Sequence, residues 1–159
     1  MGKTLGDRLP ENIYHFFRTK TMTGVASTID EDNYPRGAPM SMFYALDERN
    51  MLMGVQNRSQ TFKNAAREGK IALTFVGGGD VAFTIRGRSR VFKERMETSK
   101  YIGLLVVEVE SVKSDVADDV EVTEGLKLKF RSAEWKEHIK KVLEELRSYT
   151  LEEVLKGGA

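Results

Sequence analysis

The stretch at residues 51–64, MLMGVQNRSQTFKN, joins an apolar segment to a polar loop and then to a helical segment. Residues 51–55 have the apolar run of a strand, and residues 61–67 have the composition of a short helix. The first N–H groups of a helix have no partner inside it and lie at the positive end of its dipole, so such a loop favours an anion. Hydroxyl, amide and cationic groups follow here in close order: Arg58, Ser59, Gln60, Thr61 and Lys63. The stretch therefore predicts a phosphate site, although an ordinary capped surface helix has the same pattern.

The composition is that of one soluble globular domain. The chain has 159 residues, of which 40% are hydrophobic and 31% charged, with a formal net charge of +1. This balance gives no overall attraction to nucleic acid or to a membrane surface. The absence of cysteine excludes disulfides and thiolate metal ligands. No signal-peptide pattern opens the chain and no apolar run reaches the roughly 18 residues of a membrane span, so we expect a cytoplasmic protein.

Strand patterns dominate the first two thirds of the chain. Turn residues separate most of them, and the short helix at residues 61–67 lies between the third and fourth. The six predicted strands are residues 24–29, 36–44, 51–55, 71–76, 81–92 and 104–112. This order favours a mainly β protein, a small six-stranded antiparallel barrel with helical additions.

Pro39 interrupts the second predicted strand. A proline cannot donate a hydrogen bond to a neighbouring strand, so its presence predicts either an edge position or a β-bulge. A bulge would leave nearby backbone groups free to bond a ligand.

Helical patterns flank the barrel. Pro10 is in the first turn of a helix near the N-terminus. Ser132 has the pattern of an N-cap, and residues 150–153 have that of a capping box. One apolar stripe follows Ser132: Trp135, Ile139, Val142, Leu143 and Leu146. We therefore expect a single domain over residues 1–159, with an N-terminal helix within 1–20, a barrel core at 23–112 and a helical extension at 131–156.

Charge is uneven along the later strands. Residues 86–100 carry six basic and two acidic side chains, and residues 108–124 carry seven acidic and one basic. The two segments could face each other within the chain or across a dimer, or could form two separate solvated faces.

Side-chain catalysts are scarce. The two histidines, His15 and His138, are far apart and neither has the spacing of a metal ligand, and no Gly-x-Ser-x-Gly motif is present. The sequence predicts no catalytic side chain and no metal site. A chain of this kind binds a ligand or takes its reactivity from a cofactor.

Five segments together resemble a known family. They are GVASTI at 24–29, APMSMFY at 38–44, SQTFKN at 59–64, GKIAL at 69–73 and IRGRS at 85–89. In order and spacing they resemble the FMN-binding split-barrel family, the superfamily of the pyridoxamine 5′-phosphate oxidases, and within it the small FMN-binding proteins. The resemblance covers residues 24–111 and implies a six-stranded split barrel.

The resemblance also implies a cofactor and a partner. It implies a homodimer with FMN at the subunit interface, acting as an oxidoreductase that exchanges hydride or electrons with NAD(P)H or a small organic partner. The flavin ring would rest on the backbone of two segments: Pro39, Met40, Ser41 and Gly54, Val55, Gln56. The phosphate would be held by Arg58, Ser59, Gln60, Thr61 and Lys63. No nucleic acid and no membrane partner is implied.

Two departures from the family pattern bear on function. Thr61 occupies a position where the family usually has lysine, so either Lys63 or Arg58 supplies the charge instead or the phosphate is held more weakly. The C-terminal segment lacks the family's Arg-x-His substrate motif, which disfavours oxidation of vitamin B6 itself.

Three other functions fit parts of the pattern. They are an FMN electron carrier without catalysis, a binder of single-stranded nucleic acid through Arg86, Arg88 and Arg90, and a barrel that binds haem or another planar ligand.

Overall fold

A computed structural model describes residues 2–157; Met1, Gly158 and Ala159, at the ends of the predicted 1–159 domain, lie outside the described residues. The elements are, in chain order, β1 (Lys3–Gly6), α1 (Glu11–Thr19), β2 (Gly24–Ile29), β3 (Pro35–Met40), β4 (Met42–Ala45), β5 (Asn50–Gln56), α2 (Gln60–Glu68), β6 (Lys70–Gly77), β7 (Val81–Lys93), β8 (Ile102–Ser114), α3 (Ala133–Ser148) and α4 (Leu151–Lys156).

All the strands belong to one antiparallel sheet. Its order is β3-β2-β6-β7-β8-β5-β4, and β1 adds to β8. The two edge strands, β3 and β4, follow each other in the chain and are joined at Ser41. The sheet therefore curls until its two edges meet at this residue, which gives a barrel that is split along one side. The predicted mainly β split barrel is confirmed.

The strand count differs from the prediction of six. Residues 3–6 form the added strand β1, whose side chains are mostly exposed and show no apolar alternation. The single strand predicted at residues 36–44 is two strands, because the chain changes partner at Ser41: β3 pairs with β2, and β4 pairs with β5. Hydrogen bonds from Thr21 to the Ser41 carbonyl and between the Thr23 and Ser41 hydroxyls hold this corner.

Pro39 lies on the edge strand β3, which confirms the first of the two predicted alternatives, an edge position or a β-bulge. It is opposite Val25, and the β2–β3 register is continuous from Met40 to Pro35. The alternative of a bulge at Pro39 is wrong, since a proline on the free edge needs no irregularity. The irregular residue is Ser41, which follows β3.

Aromatic side chains fill the barrel. Phe75 is fully buried, and its ring centroid lies 5.0 Å from that of Phe17, 5.0 Å from Phe43 and 5.2 Å from Phe83. Phe17 belongs to α1, so this helix closes one end of the barrel with its apolar face. Packed aromatic groups of this size contribute much of the burial free energy of the core.

The helical extension covers the outer face of β4, β5 and β8. Val142, Leu146 and Val154 are fully buried there, among side chains of these strands. The predicted N-cap Ser132 and the capping box at Thr150 are both formed. Trp135 is 44% exposed, so the apolar stripe is shorter than predicted. No helix among residues 2–157 combines the length and the apolar character that crossing a membrane requires.

The two charged segments face each other within the chain. Strands β7 and β8 are paired, and the Arg88 guanidinium lies 3.0 Å from the Glu110 carboxylate. Arg86 donates a hydrogen bond to the Ser111 hydroxyl. Of the alternatives left by the sequence, the intrachain arrangement is the one observed at these residues.

Candidate functional site

The loop after β5 leads directly into a capped helix. The Ser59 Oγ atom accepts a hydrogen bond from the Phe62 N–H at 3.1 Å, which makes Ser59 the N-cap of α2. Gly69, with φ of 70°, ends the helix in the left-handed region that glycine adopts without strain. The predicted helix at residues 61–67 is confirmed, with one further residue at each end.

The start of α2 has free hydrogen-bond donors. Within residues 2–157, the backbone N–H groups of Gln60 and Thr61 have no hydrogen-bond partner. The Ser59 hydroxyl accepts at its oxygen and so can still donate its proton. Two unpaired N–H groups, a hydroxyl and the positive end of the helix dipole are the parts of an anion site.

The side chains of Thr61 and Gln60 differ in whether they already have a hydrogen-bond partner within the chain. Thr61 is 6% exposed, and its hydroxyl has no hydrogen-bond partner within the described part of the chain. The Gln60 Nε2 atom donates to Asn64 Oδ1 at 2.7 Å. Asn64 is fully buried and donates to the Thr28 hydroxyl, so the Gln60 amide belongs to a network that fixes α2 on β2. Of the predicted phosphate-binding side chains, Gln60 is the most constrained by another role.

Arg58 and Lys63 line an open cleft of about 640 Å³ beside α2. One wall contains these two cations and Phe62. The opposite wall is the segment between β7 and β8, with Glu94, Arg95, Lys100 and Tyr101. We call this segment, residues 94–101, the linker. The structure shows turns and bends in the linker. The sequence alone did not identify Arg95 and Lys100 as site residues. The number of basic side chains in residues 86–100 does not show which of them lie near α2.

The residues predicted to bind the flavin ring lie at the corner between β3 and β4. Gly54 is opposite Met42, and a Cβ atom added at Gly54 would lie 3.1 Å from the Met42 Cβ. Val55 and Gln56 extend beyond the end of β4 towards the loop before α2. Helix α2 packs against both β3 and β5. The residues that line the cleft include none of β3 and none of Gly54, Val55 and Gln56.

Asn57 ties the two walls of the cleft together. Its side-chain amide donates to the carbonyl oxygens of Glu94 at 2.8 Å and Lys100 at 3.0 Å. Its backbone N–H donates to the carbonyl of Tyr101 at 2.9 Å. A Cβ atom added at Gly103 would lie 2.6 Å from the Phe62 ring, so α2 approaches this part of β8 closely. The geometry of the cleft is therefore fixed by contacts within the chain.

Comparison with protein-family models shows which family the chain belongs to. The family model described as pyridoxamine 5′-phosphate oxidase matches residues 9–125, which include α1, all of the barrel from β2 to β8, and α2. The chain belongs to the pyridoxamine 5′-phosphate oxidase family. The resemblance that the sequence motifs indicated is confirmed at this level. A comparison with curated proteins found no match.

Solved structures share the fold of this chain but have little sequence identity to it. A pyridoxamine 5′-phosphate oxidase-like protein of Lactobacillus delbrueckii is 18% identical, with a TM-score of 0.58, covering 69% of this chain and 98% of that one. The HupZ protein of Group A Streptococcus is 14% identical, with a TM-score of 0.54, covering 76% of this chain and 99% of that one. An F420 reductase is 15% identical, with a TM-score of 0.50, covering 65% of this chain and 98% of that one. At these identities the likeness shows the shared fold alone.

Helix α3 of this pyridoxamine 5′-phosphate oxidase family member holds the linker through Glu145. The Glu145 carboxylate accepts hydrogen bonds from the backbone N–H groups of Glu97 at 2.9 Å and Thr98 at 2.7 Å, and from the Tyr149 hydroxyl at 2.6 Å. Partial burial raises the pKa of Glu145, but the bonds from Thr98 and Tyr149 outweigh it and leave this pKa below its ordinary value. The ionised form of Glu145 therefore stabilises the folded chain.

This arrangement predicts a pH-dependent effect of Glu145→Gln. Because the pKa is lowered by folding, the stabilisation is complete above the unfolded value of about 4.3 and is lost as the pH falls through the folded value. We expect the variant to be less stable than the original protein at pH 7 and the difference to shrink below about pH 4.3. Urea unfolding at pH 7, 5, 4 and 3 measures it. A difference that is the same at every pH would show that Glu145 acts by packing rather than by charge.

The histidines lie outside this site. His15 is exposed and 3.6 Å from Glu11, and His138 packs beside Trp135 on α3. Among residues 2–157 there is no group of three or more His, Asp or Glu side chains that could hold a metal ion.

Proposed function

We propose that the protein binds FMN and acts as a flavin-dependent oxidoreductase. The observation that carries this proposal is the start of α2, where unpaired N–H groups lie beside Ser59, Arg58 and Lys63 in a chain of this family. A flavin phosphate is a dianion with several acceptor oxygens, and this set of donors matches it.

In this proposal the phosphate is bound by Arg58, Ser59, Gln60, Thr61 and Lys63. The backbone N–H groups of Gln60 and Thr61 and the Ser59 hydroxyl donate hydrogen bonds to its oxygens. Lys63 lies one turn into α2 and has no carboxylate partner within residues 2–157, so its charge is available. Lys63 therefore supplies the positive charge that a lysine at the position of Thr61 usually supplies in the family, and Arg58 is the second cation.

The flavin ring is proposed to lie at the β3–β4 corner. Pro39, Met40 and Ser41 lie on or directly after the edge strand β3. Gly54, Val55 and Gln56 end β5, which extends beyond the end of β4 after Gly54, so backbone groups there are open to a ligand. Bound FMN would supply the redox chemistry, and the chain would hold and orient it.

A homodimer is part of the same proposal. The edge strand β3 is mostly exposed, with Pro35, Arg36, Gly37 and Pro39 open to solvent. A second subunit that covered this strand would complete a flavin site at the interface. Light scattering of the purified protein at several concentrations tests this, and a monomer at all of them would contradict it.

The oxidoreductase activity is tested by reduction kinetics. Protein loaded with FMN is mixed anaerobically with NADPH or NADH, and the loss of flavin absorbance is followed by stopped flow. We expect reduction faster than that of free FMN, because the site orients donor and flavin. Flavin that binds tightly but is reduced no faster than free FMN would instead indicate an electron carrier.

A further inference from the structure

Four cations around the cleft form no ion pair within residues 2–157. Arg58 and Lys63 line one wall, and Arg95 and Lys100 line the other. No carboxylate within residues 2–157 lies within 4.0 Å of any of the four. Glu94 is the one acidic side chain that lines the cleft. Like charges gathered in a concave site repel each other and raise the local concentration of anions.

One FMN phosphate does not account for this charge. A phosphate monoester carries at most two negative charges, and Arg58 and Lys63 match them. Arg95 and Lys100 belong to the linker and are left unneutralised. The cleft therefore has cationic capacity for a second anionic group.

The cleft also has the size and the surface of a nucleotide site. Its volume of about 640 Å³ is within the range of small-ligand sites. Tyr101 is 53% exposed, and the Lys100 Nζ atom lies 5.1 Å from the centroid of its ring. An exposed aromatic ring beside cations can stack on a base while the cations bind phosphate.

We propose that the cleft binds the phosphate-bearing end of a nucleotide co-substrate, the electron donor of the flavin. This inference rests on the proposed function. Arg95 and Lys100 contact the donor's phosphate groups, and Tyr101 stacks on its base. With both ligands bound, the donor's reduced ring would give a hydride, with its two electrons, to the flavin, so that the donor would be oxidised and the flavin reduced.

The linker is held in place before the donor arrives. Asn57 fixes it from the side of α2, and Glu145 fixes it from the side of α3. A site that is already ordered loses less conformational entropy when its ligand binds. The helical extension thus has a positioning role: it supports the linker that carries Arg95, Lys100 and Tyr101.

The test is the double substitution R95Q/K100Q in the FMN-loaded full-length protein. The probe is adenosine 2′,5′-bisphosphate, which has the base and phosphate but cannot transfer hydride. The matched control is K136Q/K141Q, which removes the same charge from exposed positions of α3. Calorimetry gives the Kd of the probe and of FMN, and initial rates give KM for NADPH.

We expect R95Q/K100Q to raise the Kd of the probe and the KM for NADPH about tenfold, with the Kd of FMN unchanged. The control should leave all three unchanged. An unchanged probe Kd in R95Q/K100Q would overturn the inference. A rise in the Kd of FMN equal to that of the probe would also overturn it, because the cleft would then hold the flavin phosphate. Tighter binding of a ten-nucleotide single strand than of the probe would overturn it in favour of nucleic acid.

The failure of the proposed function gives a different result. Protein that binds no FMN in any variant refutes the flavin proposal, whereas loss of probe binding in R95Q/K100Q alone still shows an anion site in the cleft. The two outcomes are therefore separable in one set of titrations.

Discussion

Replacing Ser59 and Lys63 with alanine is expected to weaken FMN binding about a hundredfold, which corresponds to about 3 kcal/mol. The change removes one hydroxyl donor and one positive charge from the proposed phosphate site. It leaves the barrel core intact, because the Lys63 side chain is exposed and Ser59 is at the helix start. Loss of the cap costs about 1 kcal/mol of stability, which the folded protein tolerates. Quenching of flavin fluorescence during a titration measures the affinity.

Helix α3 offers a matched control for this variant. Ser132 caps α3 as Ser59 caps α2, by accepting a hydrogen bond from the N–H three residues later, and Lys136 occupies the position that corresponds to Lys63. S132A/K136A therefore removes the same groups from the other helix. We expect it to lower stability by a similar amount and to leave FMN affinity unchanged. An equal loss of affinity in both variants would show that S59A/K63A acts through stability and not through the phosphate.

Phe75→Ala is expected to cost about 3 to 5 kcal/mol of unfolding free energy. Phe75 is fully buried and its ring packs against those of Phe17, Phe43 and Phe83. The substitution therefore leaves a cavity that these three rings cannot close by moving. For a chain of this size the melting temperature should fall by about 6 to 20 °C. Calorimetry or urea unfolding measures the change.

Phe130→Ala provides the comparison for Phe75. Phe130 is 44% exposed and lies outside the strands and helices, so its loss should change stability by less than about 1 kcal/mol. Phe75→Leu should fall between the two, because it removes less volume. Similar effects of the two alanine substitutions would contradict the assigned core.

The strands and the loop before α2 could be predicted because their signals are local. An apolar run marked β5, turn residues separated most of the predicted strands, and the polar loop at residues 56–60 preceded the helix predicted at residues 61–67. Each of these signals depends on residues within one element, and the barrel order followed from the short connections between elements.

The corner at Ser41 and the second wall of the cleft could not be predicted in this way. At Ser41 the extended chain stops pairing with β2 and begins to pair with β5. A sequence pattern does not show which strand pairs with a given segment. Arg95 and Lys100 meet Arg58 and Lys63 only because Asn57 bridges the linker to the loop before α2. Contacts between segments some 40 residues apart in sequence leave no periodic signal.

The relative affinity for FMN and riboflavin tests the central claim most directly. The two ligands share the flavin ring and differ by the phosphate alone. If the start of α2 binds the phosphate through the donors at Ser59, Gln60, Thr61 and Lys63, FMN should bind at least about a hundredfold more tightly than riboflavin. The preference should weaken in S59A/K63A and persist in S132A/K136A. Equal affinities for FMN and riboflavin in the unsubstituted protein, or no binding of either, would contradict the account.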